Sequence, residues 1–526
     1  MLTDIAAADP RELRAQVCVV GGGAAGITMA TELARNGISV IVLEGGGRRF
    51  EERSQELFRS EVVGLAHAGI HSLRFRTLGG ATTRWAGQAL PLQDIDFTAR
   101  SWVPESGWPL TPTELQPYLR RAEAILAIET FGDPAERRWP SILPLGPAFD
   151  ERLLSTVYSQ FSPSPNFAEV SRDTLETLSK INVVLHANVT EIVASPQGDA
   201  VDCVTAKDFD GHELTVGAEH FVVCCGGIET ARLLLSSTSR SEGGIGNGHD
   251  LVGRYFQDHP GFSVGEIIGE AAREHFRPRK ERGIKYLPLI RAAEQWQAET
   301  ESLNCGAAVV FEGARLPGVE AGKSLVTALR ERRFGRERLE ELREIARHPL
   351  QLATAANRYY VRGAPSQDTS GPMSLVIGLE QAPNPDSRVT LGEHVDALGQ
   401  RVARLDWRLG EAEIKTARQF VKTVAGEMER LGLASVDVGA FSLSDDPDEL
   451  SGVVVDIGHH MGTTRMATDP DRGVVNANCT VHGVQNLHIA SCSVFPTSGV
   501  SNPTFTMLAL SVRLADHLAA ALTAPG

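Results

Sequence analysis

Cysteine is scarce and unpatterned in this chain. Its seven residues (Cys18, Cys203, Cys224, Cys225, Cys305, Cys479 and Cys492) are an odd number, with no C-x-x-C pair and no short repeating spacing. A disulfide framework is thereby excluded, and reduced, mostly buried thiols in a cytoplasmic protein are expected. None of the 15 histidines falls with the cysteines at ligand spacing, so no metal site is assigned. No run of about 18 uninterrupted apolar residues is present, which removes the ordinary signature of a membrane-spanning helix. The N-terminal stretch MLTDIAAADPRELRAQ carries acids where a signal peptide needs a basic segment followed by an apolar one, so secretion is not expected. Positive charge is in deficit as well, with 51 Lys+Arg against 66 Asp+Glu and a net charge of −15. Phosphate contacts need a basic face, so a general nucleic-acid binder is a poor fit and small molecules are the expected partners.

What is present is an ordinary globular composition, 42% hydrophobic and 22% charged, which leaves no room for disordered, collagen-like or coiled-coil readings. At roughly 150 residues per domain, 526 residues make about three domains' worth of chain, or two domains with interleaved segments. No internal repeat or low-complexity tract is visible. One locally basic stretch, Leu329 to Tyr360, reads as a membrane-surface or docking helix or, more plainly, as a solvated face laced with Glu/Arg pairs.

The clearest unit is βαβ. Gln16 to Val20 is a short apolar run rich in β-branched residues. Glycines follow, then a helical stretch Ile27 to Asn36 closed by Gly37, then a strand Ser39 to Leu43. The connection Gly21-Gly22-Gly23-Ala24-Ala25-Gly26 is a G-x-G-x-x-G between strand and helix. Gly21 permits the tight turn, Gly23 lets a pyrophosphate approach the backbone at the helix N-terminus, and Gly26 lets helix and strand pack closely. Glu44, ending the second strand, would accept hydrogen bonds from ribose hydroxyls and repel a 2′-phosphate, so FAD or NAD is favoured over NADP. A second strand-like set at Val183 to Leu185, Val189 to Val193 and Phe221 to Cys224 leads into Gly226, Gly227 and a helix-patterned segment, continuing the same sheet. Trp102 to Thr174 reads as helices and loops outside it. From about Gly261 to Val453 the chain turns to polar strands and Arg/Glu-rich helices, and the C-terminus ends in an amphipathic helix.

Two further stretches carry chemistry. Thr77 to Gly87 has paired glycines and small hydroxyl residues able to pack against a flat ring or a pyrophosphate. Gly458 to Met466 contains His459 and His460, and Ser498 to Thr504 contains Asn502. Histidine can take a proton near neutral pH, and an asparagine amide can donate and accept.

Taken together, these stretches resemble the glucose-methanol-choline (GMC) family of FAD oxidoreductases. The matching features are the fingerprint with Glu44, the R-x-L-G-G at Arg76 to Gly80, VVCCGGIETARLLL, H-H-M-G-T-T-R-M and V-F-P-T-S-G-V-S-N-P-T, with D-H-P at Asp258 to Pro260 and E-Q-A-P-N-P-D-S-R-V-T-L at Glu380 to Leu391 between them. The resemblance implies a Rossmann-like FAD-binding domain from residues 1–100, 181–260 and 454–526. A substrate domain of sheet plus helices, α+β within an α/β chain, would come from 101–180 and 261–453. It selects FAD over NAD. It also implies that His459 is the catalytic histidine and Asn502 its partner, the His/Asn form seen in pyranose-oxidase-like members. FAD contacts are then expected from Gly21, Gly23, Ala24, Ala25, Gly26 and Glu44, from Gly79, Gly80, Thr82, Thr83 and Arg84, from Val189 and Gly226, and from Ser491, Asn502, Pro503 and Thr504. Arg84 stands where pyranose oxidases carry the histidine joined covalently to flavin, so non-covalent FAD is implied. The expected reaction is oxidation of an alcohol CH–OH to a carbonyl by hydride transfer to flavin N5, with His459 as base. A sugar or glycoside donor, for example at C3 as in glycoside 3-oxidases, is the implied substrate. A polyol, sterol or antibiotic intermediate, or a non-redox hydroxynitrile-lyase-like flavoprotein, stands as the alternative. Oxygen or another acceptor would reoxidise the flavin.

Overall fold

A computed structural model of the chain describes residues 1–131, 148–312, 321, 324–325, 337–347, 369–438 and 453–524. Of the basic stretch 329–360, only the helix Glu337–Arg347 lies within the described residues.

The strand expected at Gln16 to Val20 begins earlier, at Glu12–Val20, and sits centrally in an eight-stranded sheet. The order is Leu2–Asp4, Ile181–Leu185, Val40–Leu43, Glu12–Val20, Glu213–Val223, Val201–Lys207, Asn188–Ala194, and Leu487–Ile489 also pairs with Glu213–Val223. Pairing is parallel from Leu2–Asp4 across to Glu213–Val223 and antiparallel beyond it. The parallel strands are covered on both faces, which is why Val17–Val20 and Val40–Leu43 read as continuous apolar runs. Helix Ala24–Arg35 covers one face, packed against Pro503–Thr523, which packs in turn on Pro112–Leu126. Pro503–Thr523 is long and apolar enough to cross a membrane, but its Phe505, Leu508, Val512, Leu514 and Leu518 are buried in this core. Each such side chain contributes about 1.5–3 kcal/mol relative to exposure. Pro112–Leu126 starts at a capping box in which Thr111 and Glu114 each bond the other's backbone N–H, with Pro112 at the first position.

A nine-stranded antiparallel sheet forms the second layer. Its order is Ser435–Val436, Pro260–Ile268, Met373–Leu379, Cys305–Phe311, Ile284–Ala292, Leu154–Phe161, Gln88–Ala89. Arg279–Glu281 and Val454–Asp456 are added at Ile284–Ala292 and Pro260–Ile268. In Met373–Leu379 buried and half-buried residues alternate strictly, as a one-sided sheet requires. Three pairings cut across the division expected from sequence. Gln88–Ala89 and Val454–Asp456 join this antiparallel sheet, and Ser60–Gly64 pairs with Arg401–Trp407 in a separate three-stranded sheet. Leu154–Phe161 is a strand where helices and loops were expected. Its burial does not alternate cleanly, so it carries no period of two to read.

Candidate active site

A cavity of about 290 Å³ runs between the first βα turn and the chain's C-terminal third. Its lining includes Gly21, Gly23, Ala24, Ala25 and Glu44 from the fingerprint, with Gly80 and Thr82, Val189 and Gly226. It also includes Gly458, His459, His460, Ser491, Pro503 and Thr504.

The fingerprint behaves as its spacing predicts. Gly21 has φ +104°, and a Cβ there would come within 2.8 Å of the Cys224 carbonyl oxygen. Gly26 lies inside the packing, since a Cβ would meet the Gly21 carbonyl at 1.8 Å. It is therefore a close-packing residue and does not line the cavity. Gly23 is the opposite case, with nothing within 4 Å of a Cβ position. It caps helix Ala24–Arg35 without a side-chain partner, leaving the first-turn amides and the positive end of the helix dipole directed at open space. Gly226, φ +74°, likewise meets nothing within 4 Å. Two bare backbone surfaces and a donor-rich helix end make a cradle that fits a pyrophosphate, and hence FAD. Glu44 is buried, and its carboxylate accepts N–H groups from Gly22 at 2.8 Å and Gly46 at 2.7 Å. Burial pushes its pKa up, opposed by these bonds and by Arg76. Its two oxygens retain lone pairs for ribose hydroxyls.

The other loop residues support rather than line. Gly79, φ +91°, donates its N–H to the Gly22 carbonyl at 2.8 Å and so ties the two glycine turns together. Thr83 hydrogen-bonds the Gly80 carbonyl, and Arg84 lies over the rings of Phe50 and Phe75 at 4.5 and 4.9 Å. Arg84 is thus held over two aromatic faces, one of which, Phe75, borders the cavity. Ser491 turns its hydroxyl to its own turn, accepting the Ser493 N–H at 3.1 Å. Asn502 is half-buried at the N-cap of Pro503–Thr523 and makes no side-chain bond to the helix. Its neighbours Pro503 and Thr504 line the cavity, which sets Asn502 at the cavity's edge with its amide uncommitted to the helix.

The D-H-P at Asp258 to Pro260 has no task that its sequence alone reveals. The structure places Asp258 and His259 against the histidine segment, with Gln257 and Met461 exchanging backbone hydrogen bonds at 3.0 and 2.9 Å. One Asp258 oxygen accepts the N–H of His259 at 2.6 Å and of His459 at 2.9 Å. The other accepts Gly458 N–H at 3.0 Å and His67 Nε2–H at 2.9 Å. His67 Nδ1 accepts the Ile70 N–H at 3.1 Å, which leaves the proton on Nε2. Within the grouping of His67, Asp258 and His460, His67 and Asp258 are joined by this hydrogen bond and His67 Nε2 then has no lone pair to offer a metal ion, while His460 Nε2 makes no hydrogen bond among the described residues. Although burial opposes it, the bond from His67 and the nearby histidines hold the Asp258 carboxyl well below the usual range. His459 Nδ1 lies 2.9 Å from His259 Nδ1, so Nε2 is the nitrogen left to the cavity. Burial, and then His259, push the His459 pKa down to about 4, with Asp258 opposing. His459 is therefore a neutral imidazole at pH 7. Arg74 and Glu229, paired at 2.9 Å, also border the cavity, and no local sequence pattern marked them.

Comparison with known proteins decides the family. GMC oxidoreductase models match residues 170–261 and 383–511, and an FAD binding domain model matches 14–65. The chain belongs to the GMC oxidoreductase family. Members of that family are FAD-dependent oxidoreductases acting on CH–OH donors, and so is this chain. Among relatives, this GMC oxidoreductase is 23% identical to the fructose dehydrogenase large subunit of Gluconobacter japonicus, over 96% of this chain and 98% of that one. It is 26% identical to 6'''-hydroxyparomomycin C oxidase of Streptomyces lividus, over 96% and 92%. A C-glycoside 3-oxidase of Microbacterium trichothecenolyticum matches at 32% over 30% of each chain. Among solved structures, formate oxidase superposes with a TM-score of 0.59 at 17% identity, covering 97% of this GMC oxidoreductase and 99% of that chain, a likeness of fold.

Proposed function

We propose that this GMC oxidoreductase oxidises a secondary alcohol of a sugar or glycoside to a ketone, with C3 as the favoured carbon and His459 as the base. The observation that carries the reading is a neutral histidine on the cavity wall with one nitrogen engaged and the other free. Bound FAD supplies the hydride acceptor. The alcohol hydroxyl hydrogen-bonds His459 Nε2, which takes the proton as the C–H bond breaks. His459 stays neutral at pH 7 because burial disfavours its cation, so the base is present in its active form before substrate arrives. Asn502, next to the cavity-lining Pro503, has no helix-capping bond to give up. We assign its amide the second hydrogen bond to the alcohol oxygen, where alkoxide character develops.

The sugar assignment is supported by the sugar and aminoglycoside named in the full-length relatives and by the partial match to a C-glycoside 3-oxidase. FAD is held without a covalent bond, because Arg84 offers no group that could form one and packs on Phe50 and Phe75. Acid precipitation should then release all the flavin into the supernatant.

The test is anaerobic mixing of the purified flavoprotein with free sugars, glycosides, polyols and sterols while the oxidised flavin band is followed. Bleaching by glycosides or sugars supports the substrate class, and bleaching by sterols or polyols alone overturns it. His459→Ala should abolish bleaching with FAD still bound. Unchanged reduction in that variant would sink the assignment of the base.

A further inference from the structure

We propose that His259 is a positioning residue that fixes which nitrogen of His459 bears the proton. The inference rests on His459 being the base. The two Nδ1 atoms are 2.9 Å apart and the rings are perpendicular, at 89°. A contact between two imidazole nitrogens holds one proton, so one ring donates through Nδ1 and the other accepts through Nδ1.

Three features set the direction. First, His259 is buried and His459 half-buried in the cavity wall, and burial disfavours the cation of each, so each carries a single proton. Second, the base role assigned to His459 requires a lone pair on its cavity-facing Nε2, so the shared proton sits on His459 Nδ1 and His259 carries its own proton on the ring nitrogen away from the contact. With Nδ1 facing His459, that proton belongs on His259 Nε2, which is buried and makes no regular hydrogen bond among the described residues. His259 Nδ1 then carries the lone pair. Third, Asp258 accepts the backbone N–H of both His259 and His459 through one oxygen. This holds the two main chains in place and keeps the two Nδ1 atoms facing each other. His459 is accordingly the Nδ1–H tautomer, and its Nε2 lone pair points to the cavity.

The consequence for the reaction is specific. When His459 Nε2 takes the hydroxyl proton, His459 becomes an imidazolium whose Nδ1–H still donates to His259 Nδ1. His259 remains neutral and gains no proton. The opposite tautomer would present an N–H to the alcohol and could not act as a base. Among the described residues, the charged and titratable groups around the pair are Asp258 beside His259, Glu380, whose charge bears on His259, His67 on the far side of Asp258, His460 next in the chain, and Arg74, which faces His460. Apart from His259, only Asp258 bears on the charge of His459 itself.

The test uses His259→Phe, which keeps a flat ring without the acceptor, and His259→Asn, whose amide oxygen can stand near the Nδ1 position. The first readout is the pH profile of anaerobic flavin reduction by a bleaching substrate. The second is the 15N signal of the His459 ring at pH 7 in flavin-loaded protein. His259→Phe should retain FAD and slow reduction by on the order of 100-fold, the scale of general-base catalysis, with the His459 Nε2 signal moving toward the protonated position. His259→Asn should restore at least a tenth of the wild-type rate and the wild-type signal. A His259→Phe protein with unchanged rate, pH profile and ring signal overturns the proposal, as does wild-type His459 protonated on Nε2. Failure of the base assignment is seen separately, as undiminished reduction in His459→Ala.

Discussion

Replacing Asp258 by Asn tests whether one carboxylate holds the active-site segments together. The side chain is fully buried and its two oxygens each accept two hydrogen bonds, from His259 and His459 N–H, and from Gly458 N–H and His67 Nε2–H. An amide keeps one oxygen and replaces the other with a donor facing two donors. Two bonds to a charged acceptor are lost, at about 1.5–3 kcal/mol each. Local relaxation recovers part, which leaves a cost of about 4 kcal/mol, in the range for breaking a buried charged network from one side. With an unfolding entropy of about 2.1 cal/mol/K per residue, a chain of 526 residues should lose about 4 °C in Tm at pH 7. The sign of the pH dependence follows from the carboxyl's lowered native pKa. The contribution is complete above the unfolded value of about 4 and fades as pH falls toward the native one. Differential scanning calorimetry of the FAD-loaded proteins should show the wild type and Asp258→Asn converging in acid and separating above pH 5. A Tm within 1 °C of wild type at pH 7 would refute the clamp.

Two glycines of the fingerprint should part company on substitution. Gly23→Val meets open space and an ordinary φ of −78°, so flavin affinity should fall at least tenfold while the flavin-free protein unfolds as wild type does. Gly26→Ala drives a methyl to 1.8 Å from the Gly21 carbonyl, and urea unfolding should show a loss of about 3 kcal/mol. Glu413 is buried, accepts N–H groups from Gly410 and Ala382, and has its pKa pushed up by burial to about 7. The folded state therefore holds a proton that the unfolded state releases near 4.5. Stability of wild type relative to Glu413→Gln should fall as pH rises from about 4.5 to 7 and level off above; a flat difference would contradict this.

The parts of the site that could be read from sequence are those whose physics is local. Gly21, Gly23, Gly26 and Glu44 belong to one βαβ unit in which turn, helix start and strand end are fixed by neighbours. Each glycine has the spatial role its place in the turn required. His459 was reachable through its motif and stands on the cavity wall. The Asp258 clamp was not reachable, because its four donors come from segments around residues 67, 259 and 458. A pairing between residues some 200 apart leaves no periodic trace. Arg84 shows the converse limit. Its segment is legible as paired glycines and small hydroxyl residues, but whether a side chain points at a cofactor or lies over Phe50 and Phe75 depends on where those aromatics fold. Gln88–Ala89 was missed as a strand because two residues cannot express an alternation.

The central nucleotide-binding sheet has a consequence for how the enzyme is made. Strand Glu213–Val223 takes Leu487–Ile489 as a neighbour, and the helix that covers Ala24–Arg35 begins only at Pro503. The glycine turn leaves the ribosome long before the wall that completes its cavity is translated. High sequence separation of this kind slows folding, since loop closure must precede the contacts that reward it. FAD capture is thus a late event, and a nascent chain stopped before residue 487 exposes an apolar sheet edge that only a chaperone or the missing C-terminus can cover.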